Sequence, residues 1–216
     1  MEKICIEEQY IADYIVEQIE GLKRHPISVE NSLYHHNTQY SKLLSALKYG
    51  LLSQRELMRL GIVSYSEEVL KLVGDITSHV NGHDGISLSK VGLTDLYRDE
   101  IEYDPFNPNC ADILISDNIM SFRNGQNYGN EFICESIISP KDFRTIDIRL
   151  LKYIRNLVTK RDFDLSKAVE KYNSLIQVAS YLQGRKVPIP LREMSDESNT
   201  SLDVEQLSKM PVLVKK

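Results

Sequence analysis

Helical periodicity sits at the two ends of this chain and is interrupted in the middle. Residues 7–24 place Ile11, Ile15, Ile19 and Leu22 on one helical face with Tyr14 beside them, and Pro26 ends the pattern. At the other end, Leu150, Leu151, Ile154, Leu157 and Val158 share a face. Asp164 can cap a further helix, whose apolar side runs through Leu165, Ala168, Val169, Tyr172, Leu175, Ile176, Ala179 and Leu182 to a stop at Gly184. Apolar stripes of this kind need a partner to cover them. Each stripe has to be buried against another element of the fold.

The segment between them supplies that partner. Ser32–Asn37 fits a strand. Thr38 is positioned to cap a helix carrying Leu43, Leu44, Leu47 and Leu51, with Gly50 near its end. Ser53 and Glu56 form a capping-box pattern that opens a short helix stopping at Gly61. Residues 67–80 give another helical pattern through Val69, Leu72, Val73, Ile76 and Val80. Beyond Gly82 the texture changes. Ile86–Ser89, Ala111–Ser116, Phe132–Ile138 and Thr145–Ile148 read as strands, and residues 97–110 and 118–130 read as loops rich in Gly, Pro and Asn. Helices, then a β-rich middle, then helices argue for an α+β fold rather than a βαβ alternation. Residues 1–184 read as one domain. The remainder, 185–216, with Pro188, Pro190 and a Ser/Asp/Asn-rich run, reads as an extended or partly disordered tail.

Composition narrows the function classes. The chain has 216 residues and a net charge of −5, where an electrostatic nucleic-acid binder is usually basic. No apolar run is long enough to cross a membrane, and the acidic N-terminus lacks the core of a secretory signal, so a cytoplasmic protein, or one delivered into a host cytosol, is expected. Three widely spaced cysteines, Cys5, Cys110 and Cys134, make neither a disulfide framework nor a metal-ligand pattern. No metal is expected. Phosphate-loop, dinucleotide-fold and nucleophile-elbow motifs are all absent.

Three features remain. His35 and His36 stand side by side between a strand signal and a helix signal, so on a strand one faces each side. Gly85-Ile-Ser87-Leu-Ser89 is a strand of small residues that a planar ligand can approach. Glu131 heads an apolar strand directly after a loop that holds Tyr128 and Gly129, with Glu135 as the rival carboxylate on the same strand face.

Taken in order, these features resemble an ADP-ribosyltransferase catalytic domain. Tyr34-His35-His36-Asn37, followed by Leu44, Leu47 and Gly50-Leu-Leu, is similar to the family's first strand and helix. Gly85-Ile-Ser87-Leu-Ser89 is similar to its second strand, and Asn130-Glu131-Phe-Ile-Cys to its third, with Pro140 and Phe143–Ile148 following as in the family. The resemblance spans residues 32–149. It implies a split, mixed β-sheet core, flanked here by the N- and C-terminal helices, with NAD in the cleft between its halves. It also implies roles: His35 against the nicotinamide-side ribose, Tyr34 at the pocket entrance, Gly85 and Ser87 beside the nicotinamide, and Glu131 as the catalytic acidic residue. Two positions depart from the pattern. Ser87 stands where the family's His-Tyr-Glu branch has Tyr, and His36 where Gly is common. Tyr97 or Tyr128 could supply the missing ring.

The function so implied is mono-ADP-ribosyl transfer from NAD to a macromolecular acceptor (protein, DNA or RNA), as in a bacterial or phage toxin or effector. Cleaving the nicotinamide–ribose bond develops positive charge on the ribose, and a fixed carboxylate favours that charge. Three alternatives stay open: an NAD glycohydrolase, an RNA 2′-phosphotransferase-like enzyme using Arg123 and Lys141, and a catalytically silent module that binds a protein partner through its amphipathic helices.

Overall fold

A computed structural model describes residues 2–26, 34–61, 85–90, 110–116, 122–124, 131–134, 137–159, 165–194 and 199–215. The fold is α+β. Its centre is a mixed nine-stranded sheet in the order β2-β10-β9-β8-β5-β3-β4-β7-β6. These strands are β2 (Lys23–Pro26), β3 (Tyr34–Gln39), β4 (Ile86–Lys90), β5 (Cys110–Ile115), β6 (Phe122–Asn124), β7 (Glu131–Cys134), β8 (Phe143–Ile148), β9 (Leu191–Met194) and β10 (Asn199–Leu202). Only β8 and β9 run parallel; the other described pairs in this sheet are antiparallel. A separate parallel pair joins the chain ends, β1 (Lys3–Ile6) to β11 (Val212–Lys215).

Alternation on the central strands produces two faces of different character. Ala111, Ile113 and Ile115 of β5, Ile146 and Ile148 of β8, Leu191 of β9 and Tyr34 of β3 are all buried on one face. That face receives the helices α1 (Ile11–Gly21), α2 (Tyr40–Tyr49), α4 (Leu150–Thr159) and α5 (Leu165–Gln183), whose Ile15, Ile19, Leu43, Leu47, Ile154, Tyr172 and Ile176 join the same core. The expected helical stripes are therefore core surfaces. Two short helices, α3 (Gln54–Arg59) and α6 (Val204–Lys209), complete the described set, and none of these helices is long and apolar enough to cross a membrane.

Several local expectations are met. Ser53 Oγ accepts from Glu56 N at 3.2 Å, capping α3. Gly50 closes α2 with φ 87°, and a side chain there would run into the Ile138 carbonyl. Others are corrected. The first helix is shorter than 7–24: it begins after a 3-10 turn, and residues 23–26 leave it to form β2 beside β10. Thr38 does not cap α2. It pairs with Ala111, so β3 continues to Gln39. Phe122–Asn124, within the expected loop, is a strand held by β7. Of the strand expected at Phe132–Ile138, residues 132–134 belong to β7, residues 135–136 lie outside the described residues, and Ile138 bridges to Leu51. The pattern at 67–80 and the loop at 97–109 lie outside the described residues.

The largest correction concerns residues 185–216, which are not a tail. β9 lies inside the sheet, between β8 and β10, with Leu191, Arg192 and Glu193 all buried. Glu193 does structural work at a distance: its two carboxylate oxygens accept from Leu150 N at 3.2 Å and Leu151 N at 3.1 Å, capping α4 from another strand. Asn173 does the same for the chain end, donating to the Leu213 carbonyl and accepting from Leu213 N, each at 2.9 Å.

Two expectations follow. Truncation before Leu191 removes an interior strand and exposes both neighbours, so the remaining chain is expected to lose its cooperative thermal transition, read by circular dichroism. Glu193 provides the second. Burial pushes its carboxyl from the ordinary 4.5 up to about 8, against the two backbone bonds that pull it down. The folded state therefore holds this proton more tightly than the unfolded state. Its contribution to stability is full below about pH 4.5 and declines as pH rises towards 8. Glu193→Gln should flatten that decline in urea titrations at several pH values, while costing about 1–3 kcal/mol for the lost backbone acceptor.

Candidate functional site

The sheet face opposite the helices carries the polar residues. Register sets four of them in one line across adjacent strands: Asn37 of β3 faces Asp112 of β5, Asp112 faces Asp147 of β8, and Asp147 faces Arg192 of β9. Two carboxylates directly opposite each other repel. Each is answered by its own guanidinium. Arg149 Nη1 donates to Asp112 Oδ2 at 2.6 Å. Arg192 grips Asp147 through two bonds, Nε to Oδ1 at 2.7 Å and Nη2 to Oδ2 at 2.6 Å. All four of these charged side chains are buried, so the pairing is a requirement of the fold rather than a surface accessory.

Asp112 is the busiest member. Besides Arg149 it accepts from Asn37 Nδ2 at 3.2 Å, and His35 Nδ1 lies 3.4 Å from its Oδ1. Burial alone would raise its carboxyl. The His35 bond and the Arg149 charge outweigh burial and hold it below the ordinary carboxylate value. For Asp147 the balance tips the other way: burial pushes its carboxyl up against the two Arg192 bonds.

His35 stands where the sheet forks. Among the described residues β3 pairs with β5 over six positions, Tyr34 to Gln39, and with β4 at two, Tyr34↔Lys90 and His35↔Ser89. Beyond that point β3 stays with β5, while Ser87 and Leu88 pair only with β7 among the described residues. The two arms part from an apex at His35 and Ser89. At the same apex Ser89 pairs with Glu131, so His35, Ser89 and Glu131 occupy successive strands in one line on one face. With strands spaced about 4.8 Å apart, the His35 and Glu131 backbones stand roughly 10 Å apart.

The residues anticipated for the site divide accordingly. His35, Ser87 and Glu131 share the polar face by register. Tyr34, next to His35, faces the opposite side. It is buried and meets Phe132 edge-on at 5.2 Å between ring centroids. Gly85 is buried at the start of β4, where an added side chain would collide with the Ile133 side chain and the Cys134 carbonyl. Its lack of a side chain thus serves β4–β7 packing. Tyr128, Tyr97 and Glu135 lie outside the described residues. No group of three His, Cys, Asp or Glu able to hold a metal occurs among the described residues.

Sequence reasoning missed Asp112, Asp147, Arg149 and Arg192. One signal was present. Asp112 interrupts the apolar run Ala111–Ile115, and a lone carboxylate in a strand buried on both sides must have a partner. Which partner it takes follows only from register.

Compared with protein-family models, curated proteins and solved structures, the chain matches none of them.

Arg149→Met leaves Asp112 buried without its cation. The expected cost is about 3–5 kcal/mol in urea unfolding, the range for breaking a buried pair from one side.

Proposed function

We propose that this chain is an NAD-dependent mono-ADP-ribosyltransferase, of the toxin or effector kind, acting on a macromolecular acceptor. One observation carries the reading. His35, Ser89 and Glu131 line up across β3, β4 and β7 at the fork of the sheet, and His35 Nε2 is buried there without a protein partner. That His35, Ser89 and Glu131, drawn from three motifs spread over nearly a hundred residues of sequence, come into register supports the reading.

The chemistry assigns each group a task. His35 Nε2 offers a hydrogen-bonding position to a ribose hydroxyl. Glu131 supplies negative charge on the same face, where the ribose gains positive charge as the nicotinamide leaves with the electrons of the glycosidic bond. An acceptor nucleophile then bonds to that ribose carbon and releases its proton to solvent. Holding both reactants favours this route over attack by bulk water. Ser87, at the position where the family resemblance calls for Tyr, is the observation on the side of a catalytically silent module.

Labelled NAD separates the readings. The transferase releases nicotinamide and moves label onto a macromolecule in a cell lysate. A glycohydrolase releases nicotinamide without transferring label, and a silent module does neither. Glu131→Gln keeps the size and removes the charge, so nicotinamide release should fall about 10²–10³-fold while NAD affinity changes far less. Glu135→Gln should be milder. Equal turnover in wild type and Glu131→Gln would remove this mechanism.

A further inference from the structure

His35 Nε2 is the one side-chain nitrogen or oxygen that is buried without a hydrogen-bond partner among the described residues. Buried polar atoms in native proteins are nearly always satisfied, so such an exception calls for an explanation. The explanation begins at the other ring nitrogen. His35 Nδ1 is 3.4 Å from Asp112 Oδ1, and both side chains are at least nine-tenths buried.

Asp112 can only accept in this contact. Its other oxygen binds Arg149 Nη1 at 2.6 Å, and Asn37 Nδ2 donates to Oδ1 at 3.2 Å, so the group is surrounded by donors as an ionised carboxylate is. The proton between Asp112 and His35 therefore sits on Nδ1. Nε2 has no hydrogen-bond partner among the described residues. A second ring proton, on Nε2, would be a buried N–H with nothing there to accept it. An uncharged ring carries one N–H, and Asp112 takes it.

We propose that Asp112 is a positioning residue that locks His35 in the Nδ1–H tautomer, so that Nε2 presents a lone pair and accepts a hydrogen bond from a ribose hydroxyl. The direction of that bond is the new content. A site built this way recognises an O–H donor and disfavours a phosphate, carboxylate or carbonyl oxygen at the same spot, because each would set lone pair against lone pair. Arg149 and Asn37 serve the same end, by fixing the Asp112 carboxylate in place. The ribose assignment rests on the NAD reading; the tautomer does not.

Nitrogen NMR of the 216-residue chain reads the tautomer directly. In a long-range proton–nitrogen correlation spectrum near neutral pH, with His35 assigned by its loss in His35→Gln, the expected pattern is a protonated Nδ1 and a bare Nε2. Asp112→Asn should flip it. The new amide must give its oxygen to Arg149 and turns its NH2 towards Nδ1, leaving the proton on Nε2, as replacing the carboxylate partner of a histidine by an amide does in a catalytic triad. A merely structural Asp112 would not move this signature. A wild-type ring protonated on Nε2, or on both nitrogens, overturns the inference, whether or not Asp112→Asn folds. A bare Nε2 that persists in folded Asp112→Asn removes Asp112 from the role.

NAD itself is the second probe. Its addition should shift the wild-type Nε2 resonance, and Asp112→Asn should lower nicotinamide release on the order of 10²-fold, as for one preorganised hydrogen bond. Nicotinamide release with an unmoved Nε2 resonance overturns the hydroxyl contact. The expected tautomer with neither binding nor release of NAD defeats the NAD reading and upholds the role of Asp112.

Discussion

A carboxylate in the middle of the central strand sets the terms for the rest of the molecule. β5 is buried on both faces, and Asp112 lies in it with Asp147 directly across on β8. Two adjacent negative charges without water cannot persist unless cations reach them within the protein. Arg149 comes from the residue after β8, which fixes where that strand ends and α4 begins. Arg192 comes from β9, which must enter the sheet next to β8 to deliver it. The last thirty residues are thereby committed to the fold by an electrostatic demand as much as by apolar burial. Whether such a row adds net stability is secondary. Its evident effect is to specify one register, because a one-residue slip of β9 would turn Arg192 to the apolar face and Leu191 to the charged one.

This demand explains which parts of the fold could be read from the sequence. The helices were legible because their evidence is local: Ile11, Ile15 and Ile19, or Leu43 and Leu47, recur within a few residues. Strands β4, β5 and β8 were legible for the same reason, through short β-branched runs between turn residues. β9 was not. Leu-Arg-Glu-Met reads as an exposed charged stretch, and the two features that bury it, Asp147 for Arg192 and the N-terminus of α4 for Glu193, lie more than forty residues away. β10, with Asn199 and Ser201 on its polar side, carries little apolar signal of its own and exists because β9 and β2 flank it. β6 is described over three residues and pairs there with β7.

The candidate site divides along the same line between local and distant information. His35, Ser87 and Glu131 were named from motifs, and register places them on one face. Tyr34 was named from the same motif yet belongs to the core, since neighbours on a strand point to opposite sides. Asp112 belongs to no motif, and its relation to His35 spans 77 residues. A motif identifies the group that meets a ligand more readily than the group that orients it, because the orienting contact depends on how distant strands pair.

The fork gives these residues unequal support. On one arm, β3 is tied to β5 from Tyr34 to Gln39, and the buried charge row continues from β5 across β8 to β9. A histidine held there has its ring direction decided before any ligand arrives, which is the condition for a preorganised contact. On the other arm, β4 pairs with β3 at Tyr34↔Lys90 and His35↔Ser89 among the described residues, and β7 pairs with β4 in turn. The proposed carboxylate, Glu131, belongs to this second arm. A ligand bound to both His35 and Glu131 would therefore span three successive strands, β3, β4 and β7. His35 thus takes its ring direction from Asp112 on β5, 77 residues away, and its place beside Ser89 from β4.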